Sequence, residues 1–196
     1  MRKKGLFIVF EGIDGSGKST CMDAVASELG KDTDVIITAE PTKDKIGMLI
    51  RSSPELLPET EALLFTADRA DHTQTIKKWL KEGKTVLCDR YFASTLAYQA
   101  AKLNGKSVEM SWLRTMNMKV IAEPDITFLF DIDPGTGLER VEARGSRSKF
   151  EDTDYLRDVR KNYLKLAEEY GFTVIDASAS KEKVVADVMT HILKAI

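Results

Sequence analysis

The hydrophobic positions of this chain fall into short continuous runs separated by longer stretches with a helical period. Runs rich in β-branched and aromatic residues occur at Leu6–Phe10, Val35–Thr38, Thr85–Cys88, Ile126–Phe130 and Thr173–Ile175. Most of them lack the alternation of a strand with one wet face, so they predict strands buried on both sides, as parallel strands are. Helix-length segments lie between them, and that alternation predicts an α/β fold: a five-stranded parallel sheet covered by helices in a three-layer α/β/α sandwich. No internal repeat or low-complexity linker interrupts the pattern.

Three of the helical segments carry further information. Pro58 to Leu80 predicts a long helix, with Pro58 in the first turn and Glu59 and Glu61 near its positive end. Its apolar face reads as Leu63, Leu64, Ala67, Ala70, Ile76 and Trp79. Lys181 to Ile196 places Val184, Val185, Val188, Ile192 and Leu193 on one side, to pack on the sheet. The methionines between Trp112 and Val120 suit core filling or a helix–helix contact, and this segment is a candidate dimer face.

The unusual polar residues cluster at the carboxyl ends of the strands, where open α/β sheets bind ligands. They are Glu11 to Ser19, Glu40-Pro41, Asp89-Arg90, Asp131 to Asp133 and Asp176. The first group contains Gly-x-x-x-x-Gly-Lys-Ser from Gly12 to Ser19, directly after a strand and directly before a helix, which is a P-loop in its structural context. Gly12, Gly15 and Gly17 allow positive φ angles that aim backbone N–H groups at a phosphate. The helix that follows offers unpaired N–H groups and a positive dipole end to the same anion. Lys18 adds a full charge toward the β and γ phosphates, and the Ser19 hydroxyl is placed to ligate Mg²⁺. The expected ATP-binding set is Gly12, Ile13, Asp14, Gly15, Ser16, Gly17, Lys18, Ser19 and Thr20, joined by Arg140.

Further along, Asp89 at the tip of the third strand stands where an acid steadies the Mg²⁺ shell, and Arg90 offers a planar fork for a phosphate. Phe65 and Arg69 are four apart on the long helix, a pairing able to stack on a base and hydrogen-bond its edge. Arg140, Arg144, Arg147 and Lys149, with Gly145, Ser146 and Ser148 among them, have the composition of a mobile basic lid over phosphates, at about residues 140–151.

Composition narrows the partners. The 196 residues suit a single domain spanning 1–196, and a net charge of -2 gives no broad attraction to nucleic acid or acidic membranes. Any anion must therefore be held locally. The apolar run from Leu6 is too short for a signal peptide, and no run approaches the ~20 apolar residues of a membrane span, so a cytoplasmic location is expected. Cys21 and Cys88 lack metal-type spacing and read as reduced, buried thiols. His72 and His191 receive no role.

Taken together, Phe10-Glu11-Gly12-x-Asp14-Gly15-x-Gly17-Lys18-Ser19-Thr20, Glu40-Pro41, Leu64-Phe65-x-Ala67-Asp68-Arg69, Asp89-Arg90-Tyr91-x-x-Ser94-x-x-Ala97-Tyr98-Gln99 and Ala143-Arg144-Gly145 resemble the thymidylate kinase family. The resemblance runs from the first strand through the last. It implies transfer of the γ-phosphate of ATP to dTMP with Mg²⁺, within dTTP synthesis, by a homodimer. By matching position it implies that Phe65 stacks on thymine, that Arg69 and Gln99 bond the base edge, and that Arg90 holds the dTMP phosphate. It further implies that Asp14 meets the sugar 3′-hydroxyl and that Tyr98 crowds the 2′ position, with Glu40 and Ser94 also on the dTMP side. Where some members carry an arginine in the P-loop this chain has Gly15, so the catalytic arginine is expected from the basic segment, with Arg144 and Arg147 as first candidates beside Lys18 and Arg90. Ala39 and Lys149 depart from an arginine that many bacterial members place at or near those positions.

Three competing readings remain at this stage. A deoxynucleoside kinase would use an acid such as Glu40 as general base toward a 5′-hydroxyl. A P-loop switch would bind nucleotide to change partners, although the chain contains no Asn-Lys-x-Asp guanine motif. An inactive nucleotide-binding module would only associate.

Overall fold

The computed structural model describes residues 5–53, 56–103, 105–143 and 153–195. Arg144, Arg147 and Lys149 lie outside the described residues. The chain runs β1 (Phe7–Glu11), α1 (Lys18–Leu29), β2 (Val35–Ala39), α2 (Lys45–Ser52), α3 (Pro58–Lys81), β3 (Thr85–Asp89) and α4 (Phe92–Gln99). It continues through α5 (Met110–Asn117), β4 (Ile126–Asp131), α6 (Pro134–Glu142), α7 (Thr153–Tyr170), β5 (Thr173–Asp176) and α8 (Lys181–Ala195). All strand pairs are parallel, in the order β2-β3-β1-β4-β5, so the predicted α/β class and five-stranded parallel sheet are what the chain forms.

The order explains where ligands can go. The chain builds β2 and β3 on one side of β1, then crosses to β4 and β5 on the other, so the direction of winding reverses at β1. The connections diverge there and leave a crevice beyond the carboxyl end of β1, where the Gly-rich loop begins. β1 itself is fully buried, and its register against β3 sets Phe10 beside Asp89. A strand of this composition, aromatic and β-branched up to its final glutamate, loses its largest area of apolar surface from water in the central position.

Burial on both faces holds for the three inner strands but not for the two at the edges. Ile37 of β2 and Val174 of β5 are each 48% exposed, because an edge strand has one covered face at most and one unpaired side. The long helix keeps Ile76 buried and Trp79 against the core as predicted, but departs from the predicted face elsewhere. Leu63 is 51% exposed and Ala67 is exposed, whereas Ala62, Asp68, Arg69, His72, Thr73, Ile76 and Leu80 point inward. The reason is polar pairing: the Thr42 amide and hydroxyl donate to Asp68 at 2.7 and 2.6 Å, and Arg69 donates to Glu40. Once those partners exist, burying the polar stripe of α3 costs little, and apolar count alone misassigns the face.

The last helix buries Val184, Val188 and Ile192 as predicted, but leaves Leu193 63% exposed. Cys21 and Cys88 are buried and unpaired with each other. Among the described residues no helix is long and apolar enough to cross a membrane.

Candidate active site

The loop between β1 and α1 takes its shape from three glycines with φ of 143° (Gly12), 77° (Gly15) and 88° (Gly17), conformations that L side chains rarely adopt. At Gly15 there is also no room, since a Cβ would lie 2.0 Å from the Gly137 carbonyl oxygen of α6. A Cβ on Gly137 would in turn lie 2.8 Å from the Asp14 carbonyl oxygen. At Gly17 a Cβ would meet nothing within 4 Å, so only backbone conformation requires glycine there. Gly17 is the residue before α1, and no side chain caps that end. The first N–H groups of α1 thus face the loop unclaimed by a side-chain cap, as an anion receptor requires.

Lys18 is 6% exposed and folds back over the loop, its Nζ donating to the Gly12 and Ile13 carbonyls at 2.9 and 3.0 Å and to Ser16 Oγ at 3.4 Å. Burial, then the charge of Arg90, pulls its proton affinity down from 10.5 to about 8, against the opposing pull of Asp89, Asp14 and Glu11. A phosphate would supply the missing negative charge. Ile13 and Ser16 are buried within the loop, and Thr20 is half-buried on α1.

Ser19 Oγ donates to Asp89 Oδ2 at 2.8 Å, so the hydroxyl and the carboxylate predicted for Mg²⁺ are adjacent. Asp89 Oδ1 is buried and, among the described residues, has no hydrogen-bond partner. An unsatisfied carboxylate oxygen beside a hydroxyl is a hard-oxygen donor pair that fits Mg²⁺. No group of three or more His, Cys, Asp or Glu side chains among the described residues could hold a metal alone.

Arg90 stands at the turn out of β3 with φ 67°, the one positive φ outside glycine among the described residues. Such a conformation costs on the order of 1–3 kcal/mol and persists where surroundings impose it. Its amide donates to the Phe10 carbonyl at 2.9 Å, which ties the turn to the end of β1. The guanidinium is surrounded by acceptors: Nη2 donates to Asp14 Oδ1 at 2.7 Å and Tyr98 Oη at 3.3 Å, and Nη1 to Ser94 Oγ at 3.2 Å and Tyr163 Oη at 3.3 Å. It also lies over the Tyr98 ring at 5.0 Å. Asp14, Arg90, Ser94 and Tyr98 therefore converge on one point of the crevice.

Beneath them sits Glu11, fully buried at the end of β1. Its Oε1 accepts from the amides of Tyr91 and Ser94 at 2.9 and 3.2 Å, and its Oε2 from Ser94 Oγ at 2.5 Å and Tyr163 Oη at 3.1 Å. Glu11 thereby serves as a cap, supplied from another element, for the start of α4, which has no side-chain cap at Tyr91. Burial pushes its carboxyl above the usual range, while the Ser94 hydroxyl, Arg90 and the two amides pull the other way.

On the far side of the crevice Arg69, 1% exposed, is held in a second network. Nε donates to Glu40 Oε2 at 2.8 Å, Nη2 to Thr95 Oγ1 at 3.0 Å and Nη1 to Asn117 Oδ1, and the fork lies 5.4 Å from the Tyr91 ring centre. His72 Nδ1 meets Glu40 Oε1 at 2.9 Å and its Nε2 meets Thr38 Oγ1 at 2.7 Å, so this histidine does have a place in the site's supporting shell. Phe65 is half-buried and Arg69 is turned inward, so the two do not present one exposed face. Gln99, 7% exposed, donates from Nε2 to Glu61 at 3.1 Å. Arg140 donates to the Ala177 carbonyl at 3.0 Å, which fixes it beside the loop after β5.

Sequence reading missed Glu11, Tyr163, Thr95 and Asn117 as parts of these networks. An acid closing an apolar strand is a usable signal for Glu11; Tyr163, on α7, gives none, since its partners are as many as 152 residues away.

Comparison with known proteins agrees with this geometry. The family model described as thymidylate kinase matches residues 10–188. Similar proteins include probable thymidylate kinases of Methanococcoides burtonii, 42% identical over 98% of each chain, and of Methanocaldococcus jannaschii, 40% identical over 97% of each. That of Pyrococcus horikoshii is 39% identical over 95% of each. The match covers most of the chain and the relatives are near 40% identical over almost their full length, so the chain belongs to the thymidylate kinase family.

Proposed function

We propose that this protein transfers the γ-phosphate of ATP to dTMP, giving dTDP and ADP. The observation that carries the reading is the convergence of two phosphate-binding devices. Lys18 and the α1 amino end serve one side, and Arg90, hydrogen-bonded to Asp14 of the same loop at 2.7 Å, serves the other. The attacking atom is an oxygen of the dTMP phosphate, already ionised near neutrality because its second pKa is about 6. No general base is needed. The obstacle is charge repulsion between two phosphates, offset by Lys18, Arg90 and arginines of the basic segment, so catalysis is positioning plus electrostatics.

Ser19 and Asp89 would hold Mg²⁺, which when bound neutralises phosphate charge. Phe65 and Gln99 serve the base in this reading; Arg69, 1% exposed and bonded to Glu40, Thr95 and Asn117, would have to exchange one of those bonds for the base edge when dTMP binds. Arg144 and Arg147 enter on composition and resemblance, as parts of a basic lid in one domain. Glu40 is a poor general base for a nucleoside: it is 5% exposed and committed to Arg69 and His72. Homodimerisation is supported by exposed Met48 and Leu49 on α2, Leu57 just before α3 and Leu63 on it, with Met118 exposed at the end of the methionine-rich segment. Two buried thiols fit a reducing cytoplasm.

The test is an acceptor screen against Mg-ATP with dTMP, dUMP, dCMP, dGMP, UMP and thymidine, followed by ADP formation. Turnover highest with dTMP is expected; thymidine as the preferred acceptor would replace this reading with a nucleoside kinase.

A further inference from the structure

Three of the acceptors of Arg90 are hydroxyls, two of them on Nη1, and a hydroxyl accepts well only when its own hydrogen points elsewhere. Ser94 Oγ and Tyr163 Oη lie 3.2 and 3.3 Å from Arg90 Nη1 and 2.7 Å from each other. Behind them, Glu11 Oε2 is 2.5 Å from Ser94 Oγ and 3.1 Å from Tyr163 Oη. Every contact Glu11 makes here is with a group able to donate, two of them backbone amides that can do nothing else. An ionised carboxylate accepts only, and this is the form the arrangement satisfies.

We propose that Glu11 and Tyr163 are positioning residues for Arg90: the carboxylate draws the Ser94 hydrogen inward at 2.5 Å, the Tyr163 hydrogen is shared between Ser94 Oγ at 2.7 Å and Glu11 Oε2 at 3.1 Å, and both oxygens turn lone pairs toward Arg90 Nη1. The guanidinium is then fixed on one edge by Ser94 and Tyr163 and on the other by Asp14 and Tyr98, before any phosphate arrives. Preorganisation of this kind raises affinity for the anion without touching it. Tyr163 gives the arrangement a second meaning. It is carried by α7, the helix that follows the basic segment in sequence, so the acceptor-side arginine is braced by the element on which that segment ends.

Replacing Glu11 by Gln keeps size and one acceptor oxygen but adds an N–H donor. Where that N–H faces the hydroxyls, they must reverse, and at least one hydrogen then points at the guanidinium. Tyr163→Phe keeps the ring and removes only the hydroxyl. The inference rests on the reading that Arg90 holds the dTMP phosphate, and its test separates the two.

Calorimetry would measure dTMP and thymidine binding to the wild-type protein, Glu11→Gln, Tyr163→Phe and Arg90→Ala, with the ratio of the two dissociation constants as the readout, because thymidine lacks the phosphate. Glu11→Gln is expected to lower the preference for dTMP by about tenfold or more, and Tyr163→Phe by about threefold, with thymidine affinity retained. Should Glu11→Gln fail to fold, the Tyr163→Phe ratio decides alone. An unchanged ratio in Tyr163→Phe, or parallel loss of both ligands, while Arg90→Ala abolishes the preference, overturns the inference and leaves the functional reading standing. An unchanged ratio in Arg90→Ala overturns the placement of the phosphate and this inference with it.

Discussion

Ser19 and Asp89 are 70 residues apart in the chain and 2.8 Å apart in space, and the hydroxyl spends its hydrogen on only one of the two carboxylate oxygens. The other oxygen, Oδ1, is buried without a partner among the described residues. Asp89→Asn keeps an acceptor for Ser19 but removes the charge. Turnover is expected to fall by about 100-fold, with the Mg²⁺ concentration for half-activity rising and the melting temperature little changed. A coupled ADP assay over a Mg²⁺ titration checks it, and near-normal activity would remove Asp89 from the metal site.

Lys18 links catalysis to stability. Its proton affinity is lowered from 10.5 to about 8 in the folded protein, so between these values the unfolded chain binds more protons. Stability therefore carries a penalty below about pH 8 that is relieved as the pH rises toward about 10.5. Lys18→Met is expected to lower turnover by at least about 100-fold, and to be more stable than the wild type near neutrality, with the advantage gone at alkaline pH. Urea denaturation of both proteins at about pH 7 and about pH 10 measures this. A constant difference between the two pH values would refute the buried-charge account.

Arg69→Ala removes one partner of a buried pair and leaves Glu40, 5% exposed, facing only His72 and solvent-poor surroundings. A loss of about 3–5 kcal/mol is expected by denaturant titration. The milder Arg69→Lys keeps the charge but not the fork, and should raise KM for dTMP far more than KM for ATP. Equal effects on both substrates would argue that Arg69 only supports the fold.

Arg144→Ala and Arg147→Ala, made separately, are expected to divide their effects: the residue nearest the transferring phosphate should lower kcat about 100-fold or more with a smaller change in KM. Steady-state kinetics on both variants decides which it is. If neither falls, Arg140 or Lys149 carries that charge.

The strands were legible because a buried parallel strand needs only local apolar content: each predicted run lies within two residues of an observed strand end. The Gly-rich loop was legible because spacing along the chain fixes its geometry almost alone. The face of α3 was not. Asp68, Arg69 and His72 count as surface residues until Thr42, Glu40 and Thr38 are brought beside them, and that proximity is a product of the sheet order. Tyr163 was missed for the same reason, and Glu11, conspicuous at the end of its strand, gave no sign of its partners. A buried polar side chain is explained by its partners, and partners from distant elements leave no local period.

The close approach of Gly15 to Gly137 has a mechanical result. Since a Cβ on Gly15 would strike the backbone of α6 and a Cβ on Gly137 that of the loop, the two main chains are pressed together with no cushion of side chain between them. Displacing α6 by a fraction of an ångström would therefore dent the nucleotide loop directly. The Gly-rich loop and α6, the helix that carries Arg140, therefore move as one body at this point, coupled through main chain alone.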